Sequence, residues 1–195
     1  MQYSSVKPVG DRVLVKTGGA ESATEGGILL PSSATQKQTK GVVVEVGAGK
    51  GDKQPVALKA GDNVMYSQYA GTEVAFAGEE HILLKEADVI GTLADANDEG
   101  TLKPSDDRVL IRVSDAMDKT EGGLILTEAA KEKPSTGDVV AVGPGMLDES
   151  GERKALTLTT GNTVLYSKFA GTEVKGKDDV EYIVVRESDV IAVLA

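Results

Sequence analysis

The 195-residue chain has no cysteine and no tryptophan, one histidine, two phenylalanines, and no apolar run near the ~20 residues that span a bilayer. Without cysteine there is no disulfide framework, thiolate ligand or sulfur nucleophile, which fits a reducing compartment. Basic charge is also scarce: 21 Lys and Arg stand against 31 Asp and Glu, a formal net charge of −10. Residues 1–98 carry 9 basic and 13 acidic groups and residues 99–195 carry 12 and 18, so both halves are acidic. Neutralising phosphates drives nucleic-acid binding, and neither half offers the basic stripe it needs. The N-terminus MQYSSVKPVGD resembles neither a secretory signal nor an Arg- and Ser-rich transit peptide. These absences predict a protein that engages neither membrane nor nucleic acid.

What the chain does have is itself, twice. DRVLVK at 11–16 returns as DRVLIR at 107–112, and TEGGILL at 24–30 returns as TEGGLIL at 120–126, both at an offset of 96. GVVVEVGAG (41–49) matches GDVVAVGPG (137–145) at the same offset. GDNVMYSQYAGTEV (61–74) matches GNTVLYSKFAGTEV (161–174) at 100, and HILLKEADVIGTL (81–93) matches YIVVRESDVIAVL (182–194) at 101. A period this long means two globular units rather than solenoid turns. The units are expected at 1–98 and 99–195. The acidic stretch ADANDEGTLKPSD (94–106), with Gly100 and Pro104, reads as a short linker.

Inside each unit the runs are short, β-branched and separated by Gly- and Asp-containing turns: 13–15, 43–46, 64–66, 82–84 and 89–90 in the first copy. Five or six short strands per unit, with no helix to cover a parallel sheet, predict an all-β fold. Each unit is expected to be a small closed or partly open antiparallel barrel.

Between two of these strands each copy holds a 24-residue segment, 17–40 and 113–136. Structureless connections beyond about 12–15 residues are uncommon unless functional or disordered. An aliphatic triplet sits in the middle of each: Ile28, Leu29 and Leu30, then Leu124, Ile125 and Leu126. Gly26-Gly27 and Gly122-Gly123 precede them as hinges. One reading makes the triplet an ordinary barrel strand. That would bury alternate residues and send Leu29 outward, and the flanking sequence does not extend the alternation. The other reading is an extended arm that shows a hydrophobic tripeptide to another protein. Burying three such side chains is worth roughly 5–9 kcal/mol. Ordering a dozen loop residues costs about 1–2 kcal/mol each. One arm alone would therefore bind weakly, and several engaged together would bind well.

VKPVGDRVLVK, GGILL, GVVVEVGAG, GDNVMYSQYAGTEV and ILLKEADVIGTL, with their second-copy counterparts, resemble the chaperonin-10 (GroES-type) co-chaperonins from end to end. The resemblance implies two tandem irregular GroES-like β-barrels, each with a long mobile loop and a roof hairpin. It implies a co-chaperonin that caps an ATP-driven chaperonin-60 ring and encloses non-native polypeptide. Ile28–Leu30 and Leu124–Leu126 match the chaperonin-binding tripeptide, and Tyr69 and Phe169 match an aromatic position beneath the dome. The roof hairpins map to 50–59 and 146–159. The family's subunit contact pairs N- and C-terminal strands, here near Val6–Val9 and Asp189–Leu194. A homo-oligomeric ring is implied, a tetramer with eight units by the simplest count. Single-domain chaperonin-10 subunits are a further expected partner, relieving the mismatch with a seven-fold ring. The tandem arrangement implies the chloroplast stroma. A β-barrel adaptor using the same triplets on a different protein is the alternative.

Enzymatic chemistry is not expected. His81 matches Tyr182 in the second copy, so it has no recurring catalytic partners, and no cluster shows metal-ligand spacing. GAGKGDK (47–53) resembles a phosphate loop but does not end in GK[S/T], and Pro144 replaces a backbone N–H in its counterpart. No cofactor or metal is expected, and ATP belongs to the partner.

Overall fold

The computed structural model describes residues 5–17, 39–50, 55–114, 135–167, 169–177 and 179–194. The chain divides into two units, Met1–Ala96 and Asn97–Ala195. Unit 1 contains β1 (Arg12–Thr17), β2 (Lys40–Val46), β3 (Asn63–Tyr66), β4 (Thr72–Phe76), β5 (Glu79–Lys85) and β6 (Val89–Asp95). Its sheet runs β4-β5-β1-β2-β3-β6, antiparallel throughout. Unit 2 contains β7 (Asp98–Pro104), β8 (Arg108–Val113), β9 (Ser135–Val142), the short hairpin β10 (Met146–Leu147) and β11 (Arg153–Lys154), β12 (Thr163–Tyr166), β13 (Thr172–Lys175), β14 (Glu181–Arg186) and β15 (Val190–Leu194). Its main sheet repeats the order, β13-β14-β8-β9-β12-β15. Single 3₁₀ turns, Glu86–Asp88 and Glu187–Asp189, precede β6 and β15.

Alternation explains the two main core clusters, while Leu14 and Leu110, on the opposite face of their strands, are buried as well at 1% exposure. Val13 and Val15 of β1 point inward against Val43, Val64, Tyr66 and Ile82. Val109 and Ile111 of β8 do the same against Val139, Val164, Tyr166 and Ile183. In each unit the pairing register slips by one residue, between Leu14 and Val15 and between Leu110 and Ile111. A bulge at the same repeat position bends each sheet toward a barrel.

One expectation is corrected here. The acidic stretch 94–106 is mostly strand: β6 runs to Asp95 and β7 starts at Asp98, with Leu102 only 1% exposed. Its charge is not a sign of a solvated linker, because Asp98 Oδ1 accepts the Gly100 N–H and Glu99 accepts the Lys175 N–H. The strands β4 and β13 were also not evident from apolar runs. Both lie at the outer edge of their sheets, where most side chains face water.

Two carboxylates at repeat-related positions fasten the segment ahead of β3 and β12. Glu86 Oε1 accepts the Ala57 N–H at 2.6 Å. Glu187 Oε1 accepts from the Thr157 N–H (2.6 Å), the Thr157 hydroxyl (2.7 Å) and the Leu158 N–H (3.2 Å). Partial burial pushes the Glu187 carboxyl up, but the Thr157 and Leu158 hydrogen bonds and nearby Lys154 outweigh it, so it sits below the ordinary range. A depressed folded value contributes stability that is present above the unfolded carboxyl range and lost as pH falls through the folded one. Glu187→Gln is therefore expected to cost about 1 kcal/mol at pH 7 and progressively less toward pH 3. Denaturant melts of both proteins across that range check it, and a pH-independent difference would refute it.

Tyr66 is 2% exposed, and among the described residues its buried hydroxyl has no hydrogen-bond partner. Burial and the charge of Glu73 push the phenol up, which keeps it a neutral hydroxyl. An orphaned buried hydroxyl carries a desolvation cost with no return. Tyr66→Phe is expected to leave unit 1 as stable or up to about 1 kcal/mol more stable. Loss of stability on thermal unfolding would show that the hydroxyl is in use.

Candidate functional site

The two long segments leave and re-enter their barrels on neighbouring antiparallel strands. Thr17, the last residue of β1, pairs with Gly41, and Val113, the last of β8, pairs with Gly137. The triplets Ile28–Leu30 and Leu124–Leu126 and the hinges Gly26, Gly27, Gly122 and Gly123 lie outside the described residues. What the structure supplies is the anchorage from which they spring.

That anchorage is tight. A Cβ on Gly41 would lie 2.4 Å from Lys16 O and 2.5 Å from Val15 Cγ1. A Cβ on Gly137 would lie 2.4 Å from Ile111 Cγ2 and 2.5 Å from Arg112 O. Glycine is what lets the returning strand close against the departing one. Charged pairs brace both roots. Lys16 bridges to Glu79, and the Thr17 hydroxyl donates to Glu80 O at 3.0 Å. In unit 2, Asp138 accepts from Arg112 at 3.1 Å and from the Thr163 hydroxyl at 2.9 Å. The Thr163 hydrogen bond, then that from Arg112, hold the Asp138 carboxyl below its ordinary range. The Lys16 hydrogen bond and charge do the same for Glu79. His81 pairs with Lys16 across β1 and β5, is 4% exposed, and places Nδ1 3.2 Å from Glu79 O. It is part of the wall behind the first root.

Tyr69 and Phe169 are 87% and 82% exposed, at matching positions of one repeated turn. In each copy the turn is closed by Ala70 N–H to Ser67 O or Ala170 N–H to Ser167 O. It is tied to the 3₁₀ turn by Ser67 N–H to Asp88 O or Ser167 N–H to Asp189 O. Held this way, each aromatic ring stands in water on a hydrogen-bonded turn.

In the glycine-rich stretch the described residues 47–50 direct their backbone inward, to the strand root rather than to an open loop. The Gly47 and Gly49 N–H groups donate to Arg12 O and Gly10 O, and Gly143 and Gly145 donate to Arg108 O and Asp106 O. Beyond Gly145 the β10–β11 hairpin stands as the unit 2 roof element. Asp148 closes its turn by accepting from the Ser150 N–H, the Ser150 hydroxyl and the Glu152 N–H, and Arg153 anchors it to Gly145 O at 2.7 Å. In unit 1, residues 51–54 of the matching segment lie outside the described residues. Among the described residues, no group of three His, Asp or Glu could hold a metal ion, and no helix is long and apolar enough to cross a membrane.

A third surface feature is the strand β15. Among the described residues it pairs with β12 alone, and Ile191, Val193 and Leu194 are 60%, 52% and 42% exposed. Near the other end of the chain, Val9 is 74% exposed. An apolar edge strand is a template for pairing with another chain.

Comparison with known proteins agrees with this geometry. The family model of the chaperonin 10 Kd subunit matches twice, at residues 5–93 and 101–194. The 20 kDa chloroplastic chaperonins of Spinacia oleracea and Arabidopsis thaliana are each 53% identical over all of this chain, which covers 77% and 78% of them. The co-chaperonin GroES of Nitratidesulfovibrio vulgaris is 52% identical over 48% of this chain and 97% of its own length. Two matched units, each with the same strand order and the same arm root, place the chain in the chaperonin-10 family as a tandem of two family domains.

Proposed function

We propose that the protein is a co-chaperonin of the chloroplast stroma. It caps an ATP-driven chaperonin-60 ring and encloses non-native polypeptide, with no catalytic chemistry of its own. The relatives' names supply the chloroplast and the chaperonin connection, and the stroma is part of the proposal. The observation that carries the reading is the duplication of the root: two arms per chain, each springing from Gly-sealed neighbouring strands and each bearing one aliphatic triplet. Ile28, Leu29, Leu30, Leu124, Ile125 and Leu126 dock on the chaperonin, and Gly26, Gly27, Gly122 and Gly123 give the arms their freedom. Tyr69 and Phe169 face the enclosed chain. The copies associate through the β15 edge into a ring, a tetramer presenting eight arms. Single-domain chaperonin-10 subunits can enter the same ring. Differential affinity for the nucleotide states of the chaperonin makes the cap reversible.

Retention on an immobilised chaperonin ring, with and without ATP, tests this. The parent protein is expected to be held only with nucleotide. Serine at one triplet lowers retention and serine at both abolishes it, because the avidity of many weak arms is lost. Nucleotide-independent binding, or retention unaffected by the six substitutions, would overturn the capping role and favour an adaptor for another partner.

A further inference from the structure

The stretch 94–100 lies outside both family matches, yet three of its residues are built into unit 2. Glu99 Oε2 accepts the Lys175 N–H at 2.8 Å. Asp98 Oδ1 accepts the Lys177 N–H at 3.2 Å and the Gly100 N–H at 3.0 Å. Lys175 ends β13, the outer strand of the sheet, and Lys177 lies in the turn that leads to β14. Charged acceptors on backbone N–H groups are the strong class of hydrogen bond. Between these two anchor points the ring of Tyr182 lies close to two glycines. A Cβ on Gly176 would come 2.8 Å from Tyr182 Cε2, and one on Gly100 would come 3.2 and 3.3 Å from Cε2 and Cζ. The cradle receives a carboxylate, a carboxylate and a closely fitted glycine, in that order.

A second strand could compete for this place. The repeat offset of 96 aligns Asp98-Glu99-Gly100 with Gln2-Tyr3-Ser4, ahead of the shared Lys-Pro of 7–8 and 103–104. The N-terminal segment of another copy is thus the nearest look-alike of β7. It lacks both carboxylates, and a Cβ in place of Gly100 would come 3.2 Å from Tyr182 Cε2, so the ring would have to give by a few tenths of an ångström.

We propose that Asp98, Glu99 and Gly100 form a junction clamp. It seats the strand entering unit 2 on that unit's own β13–β14 hairpin and excludes the N-terminal segment of a second copy. The clamp acts by partner selection. It keeps each chain's second unit closed on itself, so copies meet elsewhere and do not exchange N-termini. The inference rests on the proposed self-association only for the identity of the competitor and is independent of chaperonin binding.

The absence of native cysteine makes the test direct. In the full chain carrying Gln2→Cys and Lys177→Cys, a disulfide-linked dimer reports residue 2 of one copy sitting where Asp98 of the other belongs. With the clamp intact this dimer is expected to be scarce under mild oxidation. Adding Asp98→Gln, Glu99→Tyr and Gly100→Ser, which installs the N-terminal residues, is expected to raise it about ten-fold. Amide exchange should accelerate at Lys175 and Lys177 while Ile111 and Val139 stay protected, showing that the barrel is folded. The milder pair Asp98→Asn and Glu99→Gln should give an intermediate yield. Equal dimer with and without the clamp would overturn the proposal. Faster exchange with no gain in dimer would also overturn it, since the residues would then only stabilise the hairpin. Failure to retain a chaperonin would sink the capping role and leave this readout unchanged.

Discussion

Replacing Gly137 by alanine is expected to destabilise unit 2 by about 3 kcal/mol, and Gly41→Ala to do the same to unit 1. The added methyl would arrive 2.4 Å from Ile111 Cγ2 and 2.5 Å from Arg112 O in one case. In the other it would arrive 2.4 Å from Lys16 O and 2.5 Å from Val15 Cγ1. Part of each obstacle is main chain in a paired strand, which cannot swing aside as a side-chain tip can. Relief requires the β1–β2 or β8–β9 ladder to open at the point where it holds the arm. Calorimetry of the single variants should lower the melting of one unit by about 10 °C or more. Variants that melt like the parent would show that the roots are looser than described. Because each substitution strikes one unit, the pair also reveals whether the two units unfold separately.

A glutamate in place of Val193 is expected to abolish self-association without harming the fold. Val193 pairs with Val164 of β12, but its side chain is 52% exposed, beside Ile191 at 60% and Leu194 at 42%. Covering each of these side chains on association is worth roughly 1.5–3 kcal/mol, and a buried unpaired carboxylate costs several more. The dissociation constant should therefore rise about a hundred-fold or more. Light scattering at fixed concentration should show the monomer mass with an unchanged thermal midpoint. An assembly that survives the substitution would place the copy-to-copy contact away from β15.

The strands that bury alternate or β-branched residues were legible from the chain alone. Val13 and Val15, Val43, Val64 and Tyr66, and Ile82 and Leu84 fall in β1, β2, β3 and β5. They were legible because the repeat printed the same spacing twice. The outer strands β4 and β13 were not, since a strand at a sheet edge faces water on most sides and shows no apolar period. The junction was misread for a related reason. Acidic residues that accept backbone hydrogen bonds look in sequence like acidic residues that are merely solvated. His81 carried no signal of its depth, for one histidine opposite a tyrosine fits core and surface alike. The arms stood out by length and composition, whereas the glycines that seal their roots became meaningful only when the facing backbone atoms were in place. The Asp98–Gly100 cradle had no sequence signal beyond the repeat alignment itself.

The exposed turn aromatics differ between the copies, tyrosine at 69 and phenylalanine at 169, in a chain without tryptophan. Of the described tyrosines, Tyr66 and Tyr166 are sealed in the cores at 2% and 1% exposure and Tyr182 is half-buried, while Tyr69 stands 87% in solvent. Intrinsic emission excited near the tyrosine band is therefore readily quenched at the turn of the first unit, and its twin in the second unit is optically silent. A collisional quencher added to the parent and to Tyr69→Phe, alone and bound to their partner, would read by difference how far that one ring is shielded without attaching any dye.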